Sequence, residues 1–224
     1  FHRYNYHVLN KVSIPEEALD SLKHELKTFE DTYPEFITPD SPTQRVAGKP
    51  SGQFEKIEHS VPMLSIEDIF TEGELSSWEE YLLKFSDNSS FTYFCEVKVD
   101  GLALALKYKG GVLTEAVTRG NGRVGENVLA NARTIQSIPL KLIFFKTIVN
   151  KSLQDKILRG YIEIRGEVYI EKKDFDILNK QRKEQGEEPY ANPRNLAAGS
   201  MRQLDAQLTS SRPLSFLAYD IVAA

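Results

Sequence analysis

The chain has 224 residues, with 28 Lys+Arg against 32 Asp+Glu and a formal net charge of −4; 41% of its residues are hydrophobic and 27% charged. That is the balance of a folded chain rather than a disordered one, and the length suits one large domain or a medium domain with a small partner. The single cysteine, Cys95, cannot close an internal disulfide, no apolar run approaches the ~20 residues of a membrane helix, and the acidic balance argues against a generic nucleic-acid coat.

Ser13-Ile14-Pro15-Glu16 has the spacing of a capping box with proline inside the first turn, where a missing N–H costs nothing. Leu19, Leu22, Leu26 and Phe29 follow at intervals of three and four and form one apolar stripe, leaving Lys23, Glu25, Lys27 and Glu30 for solvent. Residues 38–52 are rich in Pro and Gly, from Pro39 and Pro42 to Gly48, Pro50 and Gly52. Helices do not cross such a run, so a boundary is placed there, between 1–52 and 53–224. From Phe91 onward the texture is that of strands, over 91–100 and 102–108. Gly110-Gly111 then turns the chain into 112–117 as a hairpin. Further strands are expected over 161–170 and 214–222, and helices over 126–135 and 172–184. The fold class is α+β, with a small helical N-terminal unit.

The most informative segment is Cys95-Glu96-Val97-Lys98-Val99-Asp100-Gly101. Strand periodicity puts Glu96, Lys98 and Asp100 on one face, and the apolar residues on either side predict an interior strand. Charges there are costly unless paired or used, and a lysine able to lose its proton is a nucleophile. The same ladder also suits an ordinary solvated sheet face. Thr118-Arg119-Gly120-Asn121-Gly122-Arg123-Val124-Gly125 follows a strand and is expected to open a helix, where backbone N–H groups can meet phosphate or ribose. Such a loop can equally do no more than turn the chain. Glu163, Arg165, Glu167 and Tyr169 share one face of the next strand. Arg194 and Arg202 supply two forks suited to successive phosphates or to structural ion pairs. His2, His7, His24 and His59 show no metal-ligand spacing with Cys95, so no zinc is expected.

These segments together resemble the NAD⁺-dependent DNA ligases of bacteria. The resemblance runs from Tyr6-His7 through Thr38-Pro39-Asp40-Ser41-Pro42-Thr43, Pro62-Met63-Leu64-Ser65, the Lys98 motif, the Arg119 loop, Arg165-Gly166-Glu167 and Asn192-Pro193-Arg194-Asn195 to Tyr219. It implies a helical subdomain binding nicotinamide mononucleotide (1–52) and an ATP-grasp-like nucleotidyltransferase domain with antiparallel sheets (53–224). It also implies an enzyme. Lys98 would attack the α-phosphorus of NAD⁺ and keep AMP, with Asp100 as the acidic partner of the motif. The AMP would pass later to the 5′-phosphate of a nick in replication and repair.

By the same resemblance, Glu96 reads adenine, Arg119 and Glu167 contact ribose, Ser65 and Ile66 line the pocket, and Tyr219 stacks on the base. Tyr6, His7, Glu16 and Asp20 hold the nicotinamide half, and Arg194 and Arg202 contact nicked duplex DNA. Mg²⁺, a monomeric state, a cytoplasmic nucleoid setting and no membrane are implied as well. Leu19 stands where the family has a stacking tyrosine, Glu16 where aspartate is usual, and Asn10 and Asp68 also depart, so weaker NAD⁺ capture is expected. The chain opens on Phe1 and stops after Asp220-Ile221-Val222, before two later lysine motifs of the family. A C-terminally truncated excerpt that adenylates itself poorly is therefore expected. The rivals are an ATP-dependent nucleotidyltransferase and a non-catalytic or degraded NAD⁺- or DNA-binding module.

Overall fold

A computed structural model of the chain describes residues 12–46, 53–86, 90–142 and 159–223, with single positions at 2, 5, 151, 154 and 155. The centre is a four-stranded antiparallel sheet in the order β3-β2-β5-β6, built from β2 (Leu102–Lys109), β3 (Val112–Thr118), β5 (Tyr161–Ile170) and β6 (Leu214–Ala223). A two-stranded ribbon of β1 (Lys56–Glu58) and β4 (Val124–Glu126) lies beside it. The helices are α1 (Glu16–Thr32), α2 (Glu72–Lys84), α3 (Leu129–Thr134), α4 (Lys172–Glu184), α5 (Pro193–Met201) and α6 (Ala206–Ser210). The architecture is α+β with antiparallel sheets.

The sheet forms where the apolar pattern is densest. Leu104, Leu106 and Tyr108 of β2, Ala116 of β3 and Val168 of β5 are buried with Ala132 of α3 and Leu196, Ala197 and Met201 of α5. Burial of this set is the main stabilising contribution. Tyr108 keeps its one polar atom satisfied, its hydroxyl donating to the Pro139 carbonyl at 2.9 Å. Burial holds that hydroxyl well above the usual phenol range.

Four sequence-based expectations are corrected. Residues 91–100 form no strand; Phe94 is 88% and Val97 82% exposed. The register gives the reason. Leu102 pairs with Val168, and β5 ends at Ile170, so the positions opposite 98 and earlier belong to α4, which starts at Lys172. A strand needs a ladder partner, and the partner chain has already left the sheet. The segment leans instead on α2, where Tyr93 donates to Glu79 at 2.7 Å and its ring lies 6.1 Å from that of Trp78.

The capping box at Ser13 is not made. The Ser13 hydroxyl lies 2.9 Å from Nδ1 of His2, and α1 begins after Pro15, which offers no side-chain cap. Glu30 is buried rather than solvated, because its carboxylate accepts from the hydroxyls of Ser41 (2.6 Å) and Thr43. Those bonds fold the Pro-rich run 38–46 back onto the end of α1, and Leu22 and Phe29 of the expected stripe remain exposed. Finally, the Arg119 loop opens β4, not a helix; α3 starts only at Leu129.

The run 38–46 is also held against the sheet domain. Arg45 donates to the carbonyls of Arg133 and Ile135 at 2.9 Å and of Ile138 at 3.1 Å, where α3 ends and leaves carbonyls free. Arg133 returns a bond to the Pro39 carbonyl at 2.6 Å.

Candidate active site

β5 positions the site, because its period of two places Glu163, Arg165 and Glu167 on one face. Glu163 is fully buried and accepts from Arg165 Nε at 2.7 Å. The hydroxyls of Ser60 (3.2 Å) and Tyr161 (3.4 Å) donate to its second oxygen. Burial and the Glu163 charge push the Tyr161 hydroxyl up to about 12. The remaining guanidinium nitrogens of Arg165 donate to the carbonyls of Pro62 (3.1 Å) and Val61. Every group of this pair is therefore used, the condition under which a buried ion pair is tolerated.

The pair fixes the backbone that carries the next functional residue. Met63 N–H donates to the Gly122 carbonyl at 2.9 Å, and the hydroxyl of Ser65 accepts from Arg119 at 3.0 Å. The Arg119 loop is itself built tightly. Gly120 has φ +56°, and a Cβ there would overlap the Val124 carbonyl. The Asn121 side chain accepts from the N–H groups of Arg123 and Val124 at 3.0 and 2.8 Å. Beneath the loop lies buried His59, whose Nε2 is 3.1 Å from the Thr118 carbonyl and 3.3 Å from that of Arg119. Both neighbours are acceptors, so this nitrogen carries the proton in that arrangement. Nδ1 of His59 is buried with no hydrogen-bond partner among the described residues.

At the other end of the face, the Gly101 backbone lies close against the Glu167 side chain. A side chain at Gly101 would run into the Val168 carbonyl, so glycine is what lets the chain after Lys98 approach β5. Burial pushes the Glu167 carboxyl above the ordinary range, while the Gly101 backbone, Arg194 and Lys98 pull it back and Asp100 adds to the rise. Tyr219, on the adjacent strand β6, has its hydroxyl raised by burial and then by the Glu167 charge, with Arg165 and Arg119 opposing. Arg194 enters from the first turn of α5, which Asn192 caps by accepting from Asn195 N–H at 2.7 Å. It is 3.2 Å from a carboxylate oxygen of Asp100.

The structure thus gathers Asp100 with Arg194, Glu167, Tyr219, and Arg119 with Ser65 around the end of β5, while Lys98 is exposed, makes no hydrogen bond or ion pair among the described residues and acts on Glu167 only through its charge. Glu96 and Arg202 are exposed and share no hydrogen bond or ion pair with that group among the described residues. Ile66 is exposed beyond Ser65. In α1, Leu19 is buried and Asp20 exposed, and Glu16 is the first residue of the helix. Tyr6, His7 and Asn10 lie outside the described residues. A cavity of about 230 Å³ among Tyr190, Asn195, Gln203 and Arg212 includes none of the gathered residues.

Sequence reasoning missed the work of Arg165 and His59. The alternation along β5 places Arg165 on the correct face, but its backbone acceptors come from about a hundred residues away. Nothing in the spacing of His59 marks it.

A sheet end of this kind suits a nucleotide, with a guanidinium for ribose or phosphate oxygens and a half-exposed ring for a base. The family profile for the NAD-dependent DNA ligase adenylation domain matches residues 51–224, and that for the DNA ligase-like, N-terminal NAD+-binding domain matches residues 1–47. The chain belongs to the NAD-dependent DNA ligase adenylation domain family. It is 48% identical to a DNA ligase of Halothermothrix orenii, over 100% of this chain and 31% of that protein. It is 45% identical to DNA ligases of Thermomicrobium roseum and Legionella pneumophila, over 98% of this chain and 30% and 31% of theirs. The chain therefore spans about a third of the length of the curated relatives it matches. No helix among the described residues is long and apolar enough to cross a membrane.

Proposed function

We propose that this chain carries the adenylation step of an NAD⁺-dependent DNA ligase. Lys98 Nζ attacks the α-phosphorus of NAD⁺, the bond to nicotinamide mononucleotide breaks, and AMP remains on the lysine as a phosphoramidate. The adenylate then passes to the 5′-phosphate of a nick in replication and repair. The observation that carries this reading is the convergence at the end of β5. The Lys98 charge acts on the Glu167 carboxyl there, with Tyr219 and the Ser65–Arg119 contact on the same sheet end.

Within this reading Arg119 and Glu167 hold the ribose, Tyr219 stacks on adenine with Glu96 reading its amine, and Ser65 and Ile66 wall the pocket. Asp100 is the acidic partner of the lysine. Residues 1–52 form the nicotinamide mononucleotide-binding unit, with Tyr6, His7, Glu16 and Asp20 as its contacts, and 53–224 the adenylation domain. Arg194 and Arg202 meet nicked duplex DNA. The protein acts as a monomer in the cytoplasm, at the nucleoid.

Phosphoryl transfer of this kind uses Mg²⁺ to cancel charge on the phosphate oxygens. The described residues contain no cluster of three or more His, Cys, Asp or Glu that could hold a metal ion. The donor set therefore fits an ion bound chiefly by substrate phosphates and water, with Asp100 or Glu167 as its protein contact.

The test is to incubate the chain with labelled NAD⁺ and Mg²⁺, and separately with labelled ATP, and to map the product by mass spectrometry. AMP on Lys98 from NAD⁺ and not from ATP, and absent from Lys98→Ala, is expected. Labelling from ATP alone, or labelling that survives Lys98→Ala, overturns the reading.

A further inference from the structure

The ion pair between Arg194 and Asp100 joins two residues that belong to different steps of the proposed reaction. Asp100 is two residues from the lysine that would carry AMP, whereas Arg194 faces the nick. Their contact is 3.2 Å, with one guanidinium nitrogen on one carboxylate oxygen, and the side chains are 59% and 71% exposed. Arg194 and Lys98 both lower the energy of the ionised Glu167 carboxyl, and Asp100 raises it, so all four charges share one neighbourhood.

We propose that Arg194 is an exchangeable partner. It holds Asp100 while nucleic acid is absent and moves to a DNA phosphate when a nick is engaged, so that DNA binding releases the Asp100 carboxylate beside Lys98. The inference rests on the nicked-DNA reading above. Three physical points carry it.

An exposed, single-contact pair is weak, so another anion can displace the carboxylate without a large opposing cost. A guanidinium presents a planar fork that a phosphate satisfies through two parallel bonds, whereas Asp100 uses one arm of it. The fork also sits on a rigid base, since α5 is capped by Asn192 and buries Leu196, Ala197 and Met201. The side chain can swing while its helix stays in place. The exchange then makes a carboxylate available at the adenylated lysine only once DNA is present.

The competition has a measurable signature, because any change that removes Asp100 as a rival should favour DNA. Binding of a fluorescent nicked duplex to the full chain at fixed salt is compared for wild type, Asp100→Asn, Arg194→Ala and the double variant. Asp100→Asn is expected to tighten binding about two- to fivefold, the range set by an exposed ion pair, and to have no effect when Arg194 is alanine. Arg194→Gln, which keeps the length and a planar amide, serves as the second background should the alanine variant fold poorly. Glu96→Gln removes a nearby charge as well and is expected to act equally in every background.

Tightening by Asp100→Asn that persists without Arg194, or no tightening at all, overturns the exchange. A different result identifies failure of the nicked-DNA reading itself. In that case the duplex does not bind, or Arg194→Ala leaves both affinity and its salt dependence unchanged.

Discussion

The two sides of the proposed nucleotide site are built in opposite ways. The β5 side is buried and over-determined, with Glu163, Arg165, Ser60, Tyr161 and two backbone carbonyls in one closed hydrogen-bonded set. The lysine side is a ladderless segment, 91–100, whose apolar residues Phe94 and Val97 face solvent. A pocket that must read ribose and base profits from a rigid wall. A nucleophile that must receive, hold and hand on a nucleotide needs a mobile or separately held carrier, and here that segment approaches the wall at Gly101 and is tied to α5 by the Arg194–Asp100 pair.

Four variants test this contrast. Arg165→Ala leaves the Glu163 carboxylate buried without its cation and frees the carbonyls of Val61 and Pro62. It is expected to cost about 3–5 kcal/mol in denaturant unfolding, and a loss under 1 kcal/mol would show that the wall is not over-determined.

Glu167→Gln should act in the other direction and more gently. The folded carboxyl sits above its unfolded value, so relative stability is fully present below the unfolded pKa and is lost as pH rises through the folded one. The glutamine variant should therefore unfold at a higher temperature than wild type at pH 7, by a margin that closes as pH falls through the carboxylate range. Because solvent reaches this side chain, the gain is expected to be about half a kcal/mol or less. A margin that widens in acid would mean that the folded carboxyl lies below its unfolded value instead.

Phe94→Ser and Val97→Thr should change stability by less than about 0.5 kcal/mol, since neither side chain is covered. Losses comparable to those at Arg165 would mean that the lysine segment is packed after all.

The sequence makes some of this legible and hides the rest for identifiable reasons. Residues 161–170 and 172–184 appear at the expected bounds because their periodicities, two and 3.6, are local properties. The 91–100 run has the composition of a strand, yet whether it pairs is decided by where β5 ends and α4 begins, about seventy residues on. Helix α2 is missing from the expected elements, although Thr71 and Glu74 cap it with reciprocal bonds at 3.2 Å. Glu30 reads as solvated because its helical position is polar-facing, whereas Ser41 and Thr43, which cover it, come from the Pro-rich run that returns as a short 3-10 turn at Pro42–Val46. Among the site residues, Ser65 and Arg119 come from the resemblance and share a hydrogen bond. His59 can be found only once the Arg119 loop has a shape.

Arg165 and Glu167 sit two residues apart on the same face of one strand, which ties assembly of the pocket to correct folding of the sheet. Slipping β5 by a single residue would turn Ile164, Gly166 and Val168 toward Val61 and Pro62 and carry both charged groups to the opposite side. A misregistered molecule would lose the clamp and the pocket together. Nucleotide binding at the proposed site would therefore require that the central sheet has closed in its correct alignment.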